Sequence, residues 1–520
     1  MKLVSVAEMQ AIEREADQSG HSYAQMMEHA GRGLAGAVAG RYADLPPGGV
    51  LGLVGSGNNG GDTLVALAHL AAQGWKAAAY LVRPRDEGDP LIQRLKEAGG
   101  DVFRAAEDPG HETLGNLLHE HGVVLDGVLG TGIRLPLREE VARVLDFAGR
   151  TLAAMEEPPR VVAVDCPSGV DSDSGQAAPE TIPADLTVTM AAVKQGLLKF
   201  PAFALLGDLE VVGIGLPQDG ESLESWRRVQ RTVPAKQEIH AMLPPRPMEA
   251  HKGTFGTALV IGGSLSYTGA VLLAGKAAYR AGAGLVTMGV PASLHAALAG
   301  HFPEATWLLL PDWQGAIASR AAEMVQQNLE RPTALVIGPG FGLAEETERF
   351  LDQLLDEEHL PPAVIDADGL KLLGRLSDWS RRLPQPAVLT PHPGEMSVLT
   401  GLSTREIQDD RLNVASRFSR EWGHVVVLKG AFTVIAAPDG QQAVIPVATP
   451  ALARAGTGDV LAGLIGGLLA QGMDAYEAAI AGAWIHAHAG LYAEENLGSA
   501  ASVLAGDVLA AVPEVLADLP

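Results

Sequence analysis

The sequence predicts two α/β domains, each built on a mainly parallel β-sheet with helices on both faces. The chain has 520 residues, which is too long for one ordinary hydrophobic core. Short apolar strand patterns alternate with helical patterns along both halves, as expected for parallel sheets. Residues 218–237 are polar, lack a clear period and separate the two series. We therefore predict domains at 1–220 and 241–520, with a linker at 221–240.

Composition narrows the functional classes. Hydrophobic residues make up 47% and charged residues 19% of the chain, as in folded globular proteins. A formal net charge of -24 argues against nucleic acid and anionic membranes as partners. The single cysteine, Cys166, excludes an intrachain disulfide and favours a reducing compartment. We find no signal-peptide core and no uninterrupted bilayer-spanning segment, so we expect a cytoplasmic protein.

The elements of the first half follow from apolar periodicity. Residues 1–42 show recurring apolar positions and are predicted to be helical. Further helices are predicted at 63–73 and 139–149. Strands are predicted at 50–54, 77–82, 123–126, 161–165 and 209–214.

The second half repeats the alternation without an internal sequence repeat. Strands are predicted at 257–261, 285–290, 334–337, 363–365 and 387–389, then a meander at 425–428, 433–437 and 443–445. Helices are predicted at 268–281, 458–470 and 475–492, the last two closing the domain. The small residues of helix 268–281 would permit close subunit packing, and we expect a homo-oligomer.

The loop after the strand at 50–54 is the first candidate site. Gly55, Gly57 and Gly60 satisfy a dinucleotide-binding pattern, but the next strand ends without the acid that would hold a ribose. As a dehydrogenase signature the pattern is therefore weak. The loop instead combines amide oxygens, bare backbone and a carboxylate in the run Asn58, Asn59, Gly60, Gly61 and Asp62.

Two further strand ends carry an aspartate followed by glycine or serine. Asp126 precedes a run suited to cradle a phosphate, which consists of Gly130, Thr131, Gly132, Ile133, Arg134, Leu135 and Pro136. Asp165 precedes Cys166, Pro167 and Ser168. An aspartate at one strand end usually caps a turn. Because ligands of open α/β sheets bind at the carboxyl ends of strands, three such ends together favour a shared site.

These three motifs together resemble the NAD(P)H-hydrate epimerase family, over nearly all of residues 1–215. The resemblance implies a Rossmann-like three-layer domain whose loops 58–62 and 130–136, with Asp165, hold the hydrated nucleotide. It also implies that Asn59, Asp126 and Ser168 give oxygens to a potassium ion, a chemistry that suits hard ligands. Asp165 is the candidate acid/base. The sequence departs from the family at His29, where asparagine is expected.

The turn from Ala455 to Gly463 is the main candidate site of the second half. It opens an apolar helix, whose first backbone N–H groups would form a seat for phosphate. Asp459 would lie in the first helical turn beside that seat. Either this carboxylate only favours the helix dipole, or it handles a proton or metal in phosphoryl transfer.

Several other strands of this half end in glycine-rich or polar residues. Individually these are weak signals, since His392 could be a loop histidine and Lys429 a strand-end charge. With the late turn they resemble the ADP- or ATP-dependent NAD(P)H-hydrate dehydratases of the ribokinase-like superfamily, from about Leu243 onward. The resemblance implies a hydrate site of Ala270, Gly340 or Gly342, His392 and Asp459. The implied nucleotide site is Lys429, Gly430, Ala431, Phe432, Thr433 and Gly458, with Glu395 near magnesium.

The predicted function is repair of hydrated NADH and NADPH. The first domain would epimerise the R and S hydrates, and the second would dehydrate the S form with an adenine nucleotide. Asp459 would take the proton from the hydrate's hydroxyl as it attacks the terminal phosphoryl group. The sequence leaves ADP against ATP open, and the fused architecture favours ADP.

Two alternatives compete with this interpretation. A kinase for a vitamin-precursor alcohol shares the Gly-Thr-Gly-Asp turn, but the motif at 391–395 and the first half argue against it. A non-catalytic nucleotide-binding or scaffold protein would have lost its acids. The chain keeps all four candidates, Asp62, Asp126, Asp165 and Asp459.

Overall fold

A computed structural model describes residues 1–43, 49–86, 88–384 and 386–520. The chain divides into two compact units, Met1–Gln230 and Arg231–Pro520, inside the segment predicted as a linker at 221–240. That segment contains the short helix Glu224–Arg228 and the strand Arg231–Thr232. Neither was predicted, because their polar residues show no apolar periodicity. The functional boundaries at 220 and 241 stay a prediction.

The first unit consists of alternating strands and helices. Its strands are β1 Leu3–Val4, β2 Val50–Val54, β3 Ala77–Leu81, β4 Asp101–Arg104, β5 Val123–Gly127, β6 Arg160–Val164, β7 Leu186–Met190, β8 Val193–Lys194 and β9 Asp208–Val212. Its helices are α1 Val6–Gln18, α2 Tyr23–Arg41, α3 Asn58–Ala72, α4 Pro90–Glu97, α5 Glu112–Glu120, α6 Glu139–Ala153 and α7 Glu224–Arg228.

Seven of these strands form one parallel sheet, in the order β4-β3-β2-β5-β6-β7-β9. The sheet grows outward in both directions from β2, which is the strand order of a Rossmann-like fold. Val50 and Val54 face one hydrophobic cluster, and Leu51 and Leu53 face another, so helices cover both sides. The predicted three-layer α/β class is confirmed. The carboxyl ends of β2, β5 and β6 lie side by side.

Two predicted elements of this unit are wrong in detail. Residues 1–42 are not one helix, because Ser5 and Ser22 each form a capping box that starts a separate helix. Helix α3 starts at Asn58 rather than at residue 63, so residues 58–62 form its first turns instead of a loop. Gly60 makes this possible, since a Cβ there would lie 2.1 Å from the carbonyl oxygen of Gly55.

The second unit repeats the alternation on a larger scale. Its strands are β10 Arg231–Thr232, β11 Thr257–Ile261, β12 Leu285–Pro291, β13 Thr306–Leu310, β14 Asp312–Trp313, β15 Ala316–Ile317, β16 Ala334–Ile337, β17 Ala363–Ile365, β18 Val388–Leu389, β19 Val425–Leu428, β20 Val434–Ala436 and β21 Gln442–Val444. Its helices are α8 Lys236–Met242, α9 Thr268–Arg280, α10 His295–Leu298, α11 Ala321–Gln326, α12 Glu345–Leu354, α13 Asp368–Leu373, α14 Trp379–Arg382, α15 Pro393–Thr400, α16 Thr404–Asp409, α17 Arg411–Trp422, α18 Thr457–Ala470, α19 Ala475–Leu497 and α20 Ala505–Ala517.

Ten strands form its main sheet, in the order β10-β21-β20-β19-β18-β17-β16-β11-β12-β13. The pairs β19–β20 and β20–β21 are antiparallel, which confirms the predicted meander. The other neighbours are parallel, so the ends of β16, β17, β18 and β19 meet at one edge. The prediction that two helices close the domain is wrong, because α20 follows α19.

Small residues serve the packing of α9 against α18. A Cβ on Gly463 would lie 2.1 Å from the carbonyl oxygen of Ala274, and one on Gly467 would lie 2.4 Å from that of Ala278. The two helices therefore touch backbone to backbone, which fixes where α18 begins. This intrachain contact accounts for the small residues of α9, and the homo-oligomer stays a prediction. Among the described helices, none is long and apolar enough to cross a membrane.

Candidate active sites

A cavity of about 630 Å³ lies at the carboxyl ends of β2, β5 and β6 in the first unit. The sequence-predicted residues that line it are Asn58, Asn59, Asp62, Gly130, Thr131, Gly132, Ile133 and Asp165. Gly60 and Gly61 are buried in the first turns of α3 and do not line it. Arg134, Leu135 and Pro136 are exposed and also lie outside the lining. The three motifs thus meet, but only part of the 130–136 loop faces the cavity.

Asp165 is held in a fixed orientation at the edge of this cavity. Its backbone has a φ of 65°, a conformation that few residues other than glycine adopt. Its Oδ1 accepts hydrogen bonds from Thr189 Oγ1 at 3.0 Å, from the Met190 backbone N–H at 3.0 Å and from Lys194 Nζ at 2.5 Å. Three donors on one oxygen fix the orientation of this carboxyl group.

Lys194 is a site residue that sequence analysis missed. Its side chain is fully buried, and it also donates to Thr189 Oγ1 at 3.1 Å and to the Met190 carbonyl oxygen at 2.8 Å. Lys194 lies on strand β8, which pairs with β1 so that Val4 is opposite Lys194. This pairing brings helix α1, which follows β1, to the cavity. The only local signal was a lysine directly after the apolar Ala192 and Val193.

Two further acids of the cavity have raised pKa values. Burial raises the pKa of Asp62 well above its usual value, Asp165 and Glu13 add to the effect, and Lys194 opposes it. Burial also raises the pKa of Glu13, which lies on α1 and was not predicted. The cavity therefore combines a carboxylate bound to lysine with carboxyl groups that retain protons more readily, an arrangement suited to acid–base chemistry.

Asn59, which lines this cavity, is connected through Leu129 to Ser168 and Asp126, and all three side chains carry oxygens. Asp126 is fully buried, and its Oδ2 accepts from the Ser168 backbone N–H at 2.7 Å. Its Oδ1 has no hydrogen-bond partner among the described residues. Asn59 Nδ2 donates to the carbonyl oxygens of Leu129 and Val164 at 2.9 and 2.7 Å, which fixes the amide. A buried unpaired carboxylate oxygen among neutral oxygens fits a cation such as K⁺.

His29 lies away from this chemistry. A Cβ on Gly215 would lie 2.5 Å from the His29 ring, and His29 Nδ1 lies 2.9 Å from Arg32 Nη2. His29 does not line the cavity. The structure therefore places it in the packing of α2 against the segment after β9.

The second unit contains a cavity of about 510 Å³ where α18 begins. The predicted residues that line it are His392, Lys429, Gly430, Ala431, Thr433, Gly458 and Asp459. Phe432 is buried and has a φ of 55°, and it does not line the cavity. The turn 455–457 lines it as expected, and the lining also includes residues of segment 447–454 and of α19, which had no predicted role.

Asp459 lies in the first turn of α18, beside the backbone N–H groups at the helix N-terminus. The turn before it contains Gly456 with a φ of 91°. Burial raises the pKa of Asp459 to about 7, Asp366 adds to the effect and Lys429 opposes it. A carboxyl group with this pKa can both accept and release a proton near neutral pH.

Lys429 joins the acids of this site. Its Nζ lies 2.7 Å from Asp366 Oδ1 and 3.6 Å from Glu395 Oε2, and its side chain is only 17% exposed. Burial lowers the pKa of Lys429, but Asp366 and Glu395 outweigh burial and raise it. A Cβ on Gly458 would lie 3.3 Å from Lys429 Nζ, so the glycine lets the ammonium group approach the helix N-terminus. The Lys429 ammonium group and the N-terminus of α18 can therefore bind the same anion, and we call this place the anion seat.

His392 and Glu395 form the capping box of α15. His392 Nδ1 accepts from the backbone N–H groups of Gly394 at 2.9 Å and Glu395 at 3.3 Å. Glu395 Oε2 accepts from the His392 backbone N–H at 2.9 Å. Burial would raise the pKa of Glu395, but His392 and Lys429 outweigh it and lower the pKa. Glu395 is 3% exposed and does not line the cavity, so its contacts are within the protein.

Ala270, Gly340 and Gly342 form a neighbouring group outside that lining. A Cβ on Gly340, whose φ is 70°, would lie 2.5 Å from the Tyr267 carbonyl oxygen and 3.1 Å from the Ala270 Cβ. The Gly342 backbone N–H donates to Asp368 Oδ2 at 3.0 Å. Asp368 also helps to raise the pKa of Asp459. The glycines and the cavity therefore both border the acids around Asp459.

The two sites define an enzyme with two active centres. One is an acid–base centre, and the other combines an anion seat, a lysine and a carboxyl group, as phosphoryl transfer requires. Residues 258–514 match the sequence model of a family described as NAD(P)H-hydrate dehydratase, and residues 23–196 match that of the YjeF-related protein N-terminus. Relatives up to 37% identical along the whole chain show that it belongs to the family of bifunctional NAD(P)H-hydrate repair enzymes, which confirms the resemblance drawn from its motifs.

Relatives of the same domain composition match along the whole chain. The bifunctional NAD(P)H-hydrate repair enzyme of Moorella thermoacetica is 37% identical over 100% of this chain and 97% of its own length. That of Escherichia coli is 34% identical over 95% of this chain and 88% of its own length. The crystal structure of the ADP/ATP-dependent NAD(P)H-hydrate dehydratase of Bacillus subtilis, co-crystallised with ATP/Mg²⁺, is 34% identical, with a TM-score of 0.48. The match covers 56% of this chain and 99% of the Bacillus subtilis chain.

The raised pKa of Asp459 predicts a pH-dependent effect of Asp459→Asn on stability. The carboxyl group titrates at about 7 in the folded protein and at its usual 3.8 when unfolded. Its stabilising contribution is complete below about pH 4 and disappears as the pH rises through 7. The Tm of Asp459→Asn minus the Tm of the wild type should therefore increase between pH 5 and pH 8.

Differential scanning calorimetry at both pH values measures this difference. The control is Glu495→Gln, at an exposed position of α19, which should keep the wild-type profile. A Tm difference, Asp459→Asn minus wild type, that is smaller at pH 8 than at pH 5 contradicts the prediction.

Proposed function

We propose that this chain repairs hydrated NADH and NADPH in two steps. The first unit interconverts the R and S hydrates, and the second unit dehydrates the S form with an adenine nucleotide as phosphoryl donor. The observation that carries the proposal is Asp459, a carboxyl group with a pKa of about 7 at the anion seat formed by α18 and Lys429. We expect the reaction in the cytoplasm, and the homo-oligomer remains a prediction.

In the dehydratase step, the hydroxyl oxygen of the hydrate attacks the terminal phosphorus of the nucleotide. Asp459 accepts the hydroxyl proton as the P–O bond to the shortened nucleotide breaks. The N–H groups of α18 and the ammonium group of Lys429 stabilise the charge that develops on the transferred phosphoryl group. The phosphorylated intermediate then loses a ring proton and inorganic phosphate, which restores the dihydronicotinamide.

Nucleotide and hydrate are proposed to approach Asp459 from two sides. The nucleotide occupies the 510 Å³ cavity, whose lining includes Lys429, Gly430, Ala431, Thr433 and Gly458. The hydrate contacts the group formed by Ala270, Gly340, Gly342 and His392. Magnesium, which neutralises phosphate charge, is proposed to enter on the nucleotide. Because the Glu395 oxygens contact His392 and Lys429, its role as a magnesium ligand stays a prediction.

Asp459→Asn should lower dehydratase turnover at least about 100-fold, because the hydroxyl loses its proton acceptor. Binding of the nucleotide should persist, since Asn occupies nearly the same volume. The assay follows the return of reduced-nicotinamide absorbance when the S hydrate is supplied with ADP or, separately, with ATP. The faster donor identifies the physiological one.

Epimerase activity of the same Asp459→Asn protein serves as the internal control and should match the wild type. Undiminished dehydration would refute the role of Asp459. Accumulation of a phosphorylated alcohol without return of absorbance would instead favour the competing assignment as a kinase.

In the epimerase step, the ring nitrogen of the hydrate can expel the hydroxyl group from the adjacent carbon. Asp62 is the proposed acid that protonates the departing hydroxyl, which leaves as water. Asp165, whose Oδ1 accepts a hydrogen bond from Lys194, is the proposed base that takes a proton when water adds to the opposite face. One proton is given and one is taken, so the two carboxyl groups exchange roles in the reverse direction.

Asp165→Asn should lower epimerisation at least about 100-fold while leaving dehydration of the S hydrate intact. With a mixture of R and S hydrates and excess nucleotide, the wild type should consume both. The variant should stop once the S form is exhausted. Chromatographic separation of the two hydrates measures this directly.

The matched control is Asp185→Asn, a partly exposed aspartate of the same unit that pairs with Arg160. It should consume both hydrates as the wild type does. Complete consumption by Asp165→Asn would remove the proposed base.

We propose that potassium binds in the first unit to oxygens of Asn59, Asp126 and Ser168. The support is the buried Asp126 Oδ1, which lacks a partner among the described residues. When bound, the ion would supply the positive charge that this carboxylate otherwise lacks. The residues themselves hold the loop after β5 against the end of β6, through the Leu129 backbone N–H that donates to Ser168 Oγ at 2.9 Å.

K⁺ should therefore raise the Tm of the wild type relative to tetramethylammonium at equal ionic strength. The increase should grow with the logarithm of the K⁺ concentration once the Kd is exceeded. Asp126→Asn should abolish this dependence, because the amide carries no charge. An equal response to K⁺ in Asp126→Asn and in the wild type would contradict the site.

A further inference from the structure

His486 contributes a ring to the cavity of the second unit that neither the motifs nor the proposed mechanism uses. It lies on α19, and with Ala483 and Ala487 it forms the face of that helix that lines the cavity. The residue is 8% exposed. Its Nε2 is buried and has no hydrogen-bond partner among the residues that the structure describes.

A buried histidine with a purely structural role is expected to satisfy its ring nitrogens. His424, in the same unit, does so. Its Nδ1 accepts from the Ala387 backbone N–H at 3.1 Å, and its Nε2 lies 2.8 Å from the Ser380 carbonyl oxygen. A buried polar atom without a partner destabilises a protein, so the unpaired nitrogen of His486, in a residue that also lines the cavity, indicates a role toward a ligand.

The cavity lining contains both charged and apolar side chains. Lys429 pairs with Asp366, and both line the cavity together with Asp459 and the N-terminus of α18. The apolar side chains of the lining are Ile445, Val447, Leu452, Leu461, Ala483 and Ala487, the last two on the same helix as His486. Because phosphates bind at a helix N-terminus and a lysine, the flat base of a nucleotide is expected against the apolar side chains.

The protonation state of His486 suits contact with a base. Burial lowers its pKa to about 4, the Thr457 backbone opposes this, and Lys429 lowers the pKa further. At neutral pH the ring is uncharged, and its contact with the Thr457 backbone occupies one ring nitrogen and leaves Nε2 for a ligand. Adenine presents the complementary groups, because its ring nitrogens accept and its amino group donates.

We propose that His486 hydrogen-bonds the adenine base of the phosphoryl donor and holds the nucleotide in place for transfer to the hydrate. This inference rests on the proposed function of the second unit. His486 is a positioning residue for the nucleotide, and the proton transfer stays with Asp459. Its contribution belongs to the base and not to the phosphates.

The test compares ADP with inorganic pyrophosphate as probes, using isothermal titration calorimetry on the full chain. His486→Phe keeps a planar ring and removes both nitrogens, so the Kd for ADP should rise about tenfold, the size expected for one hydrogen bond. The Kd for pyrophosphate should change less than twofold. In steady-state assays the KM for ADP should rise by a larger factor than kcat falls.

Two further variants support the comparison. His486→Gln retains a donor and an acceptor and should recover part of the ADP affinity. His488→Leu alters a histidine of the same helix that stacks on Trp484 at 3.6 Å and does not line the cavity, so both probes should bind as to the wild type. If His486→Phe does not fold, His486→Leu replaces it in the same comparison.

Equal weakening of ADP and pyrophosphate would overturn the inference and place His486 at the phosphate seat. Unchanged ADP binding in a folded His486→Phe protein would also overturn it. A wild type that binds neither ADP nor ATP would contradict the proposed dehydratase itself. That outcome is distinct, because it appears before any variant is made.

Discussion

A buried lysine–aspartate pair organises each of the two sites. Lys194 contacts Asp165 at 2.5 Å in the first unit, and Lys429 contacts Asp366 at 2.7 Å in the second. Such a pair is stable only when further hydrogen bonds satisfy its remaining polar atoms. Thr189 and the Met190 backbone do this for the first pair, and Thr390 Oγ1 donates to Asp366 Oδ1 at 2.7 Å in the second.

Each pair separates the behaviour of neighbouring acids. A second acid lies near the aspartate that contacts the lysine, and both burial and the neighbouring aspartate raise the pKa of this second acid. Asp62 has this position in the first unit and Asp459 in the second, and the pKa of each is raised. In the proposed function, the same electrostatic arrangement would serve two different reactions, with water as the nucleophile in one and the hydrate's hydroxyl in the other.

Sequence patterns predicted the fold class, most strands and the strand ends that form both sites. They worked because parallel strands are continuous apolar runs, and because glycines and aspartates mark the loops that follow them. Lys194 and Glu13 were missed because their positions depend on the pairing of β1 with β8, residues far apart in the chain. His486 was missed because it lies inside an apolar helical pattern, where a histidine resembles core.

The glycines of the turn at 455–459, before and within the start of α18, have different structural roles. Gly456 has a φ of 91°, which favours glycine because a Cβ is strained there. Gly458 contributes differently, since a Cβ there would make a tight contact of 3.3 Å with Lys429 Nζ. The glycine thus leaves room for the ammonium group beside the helix N-terminus. The spacing of the two glycines before Asp459 thus places the anion seat, the cation and the acid within reach of one phosphoryl group.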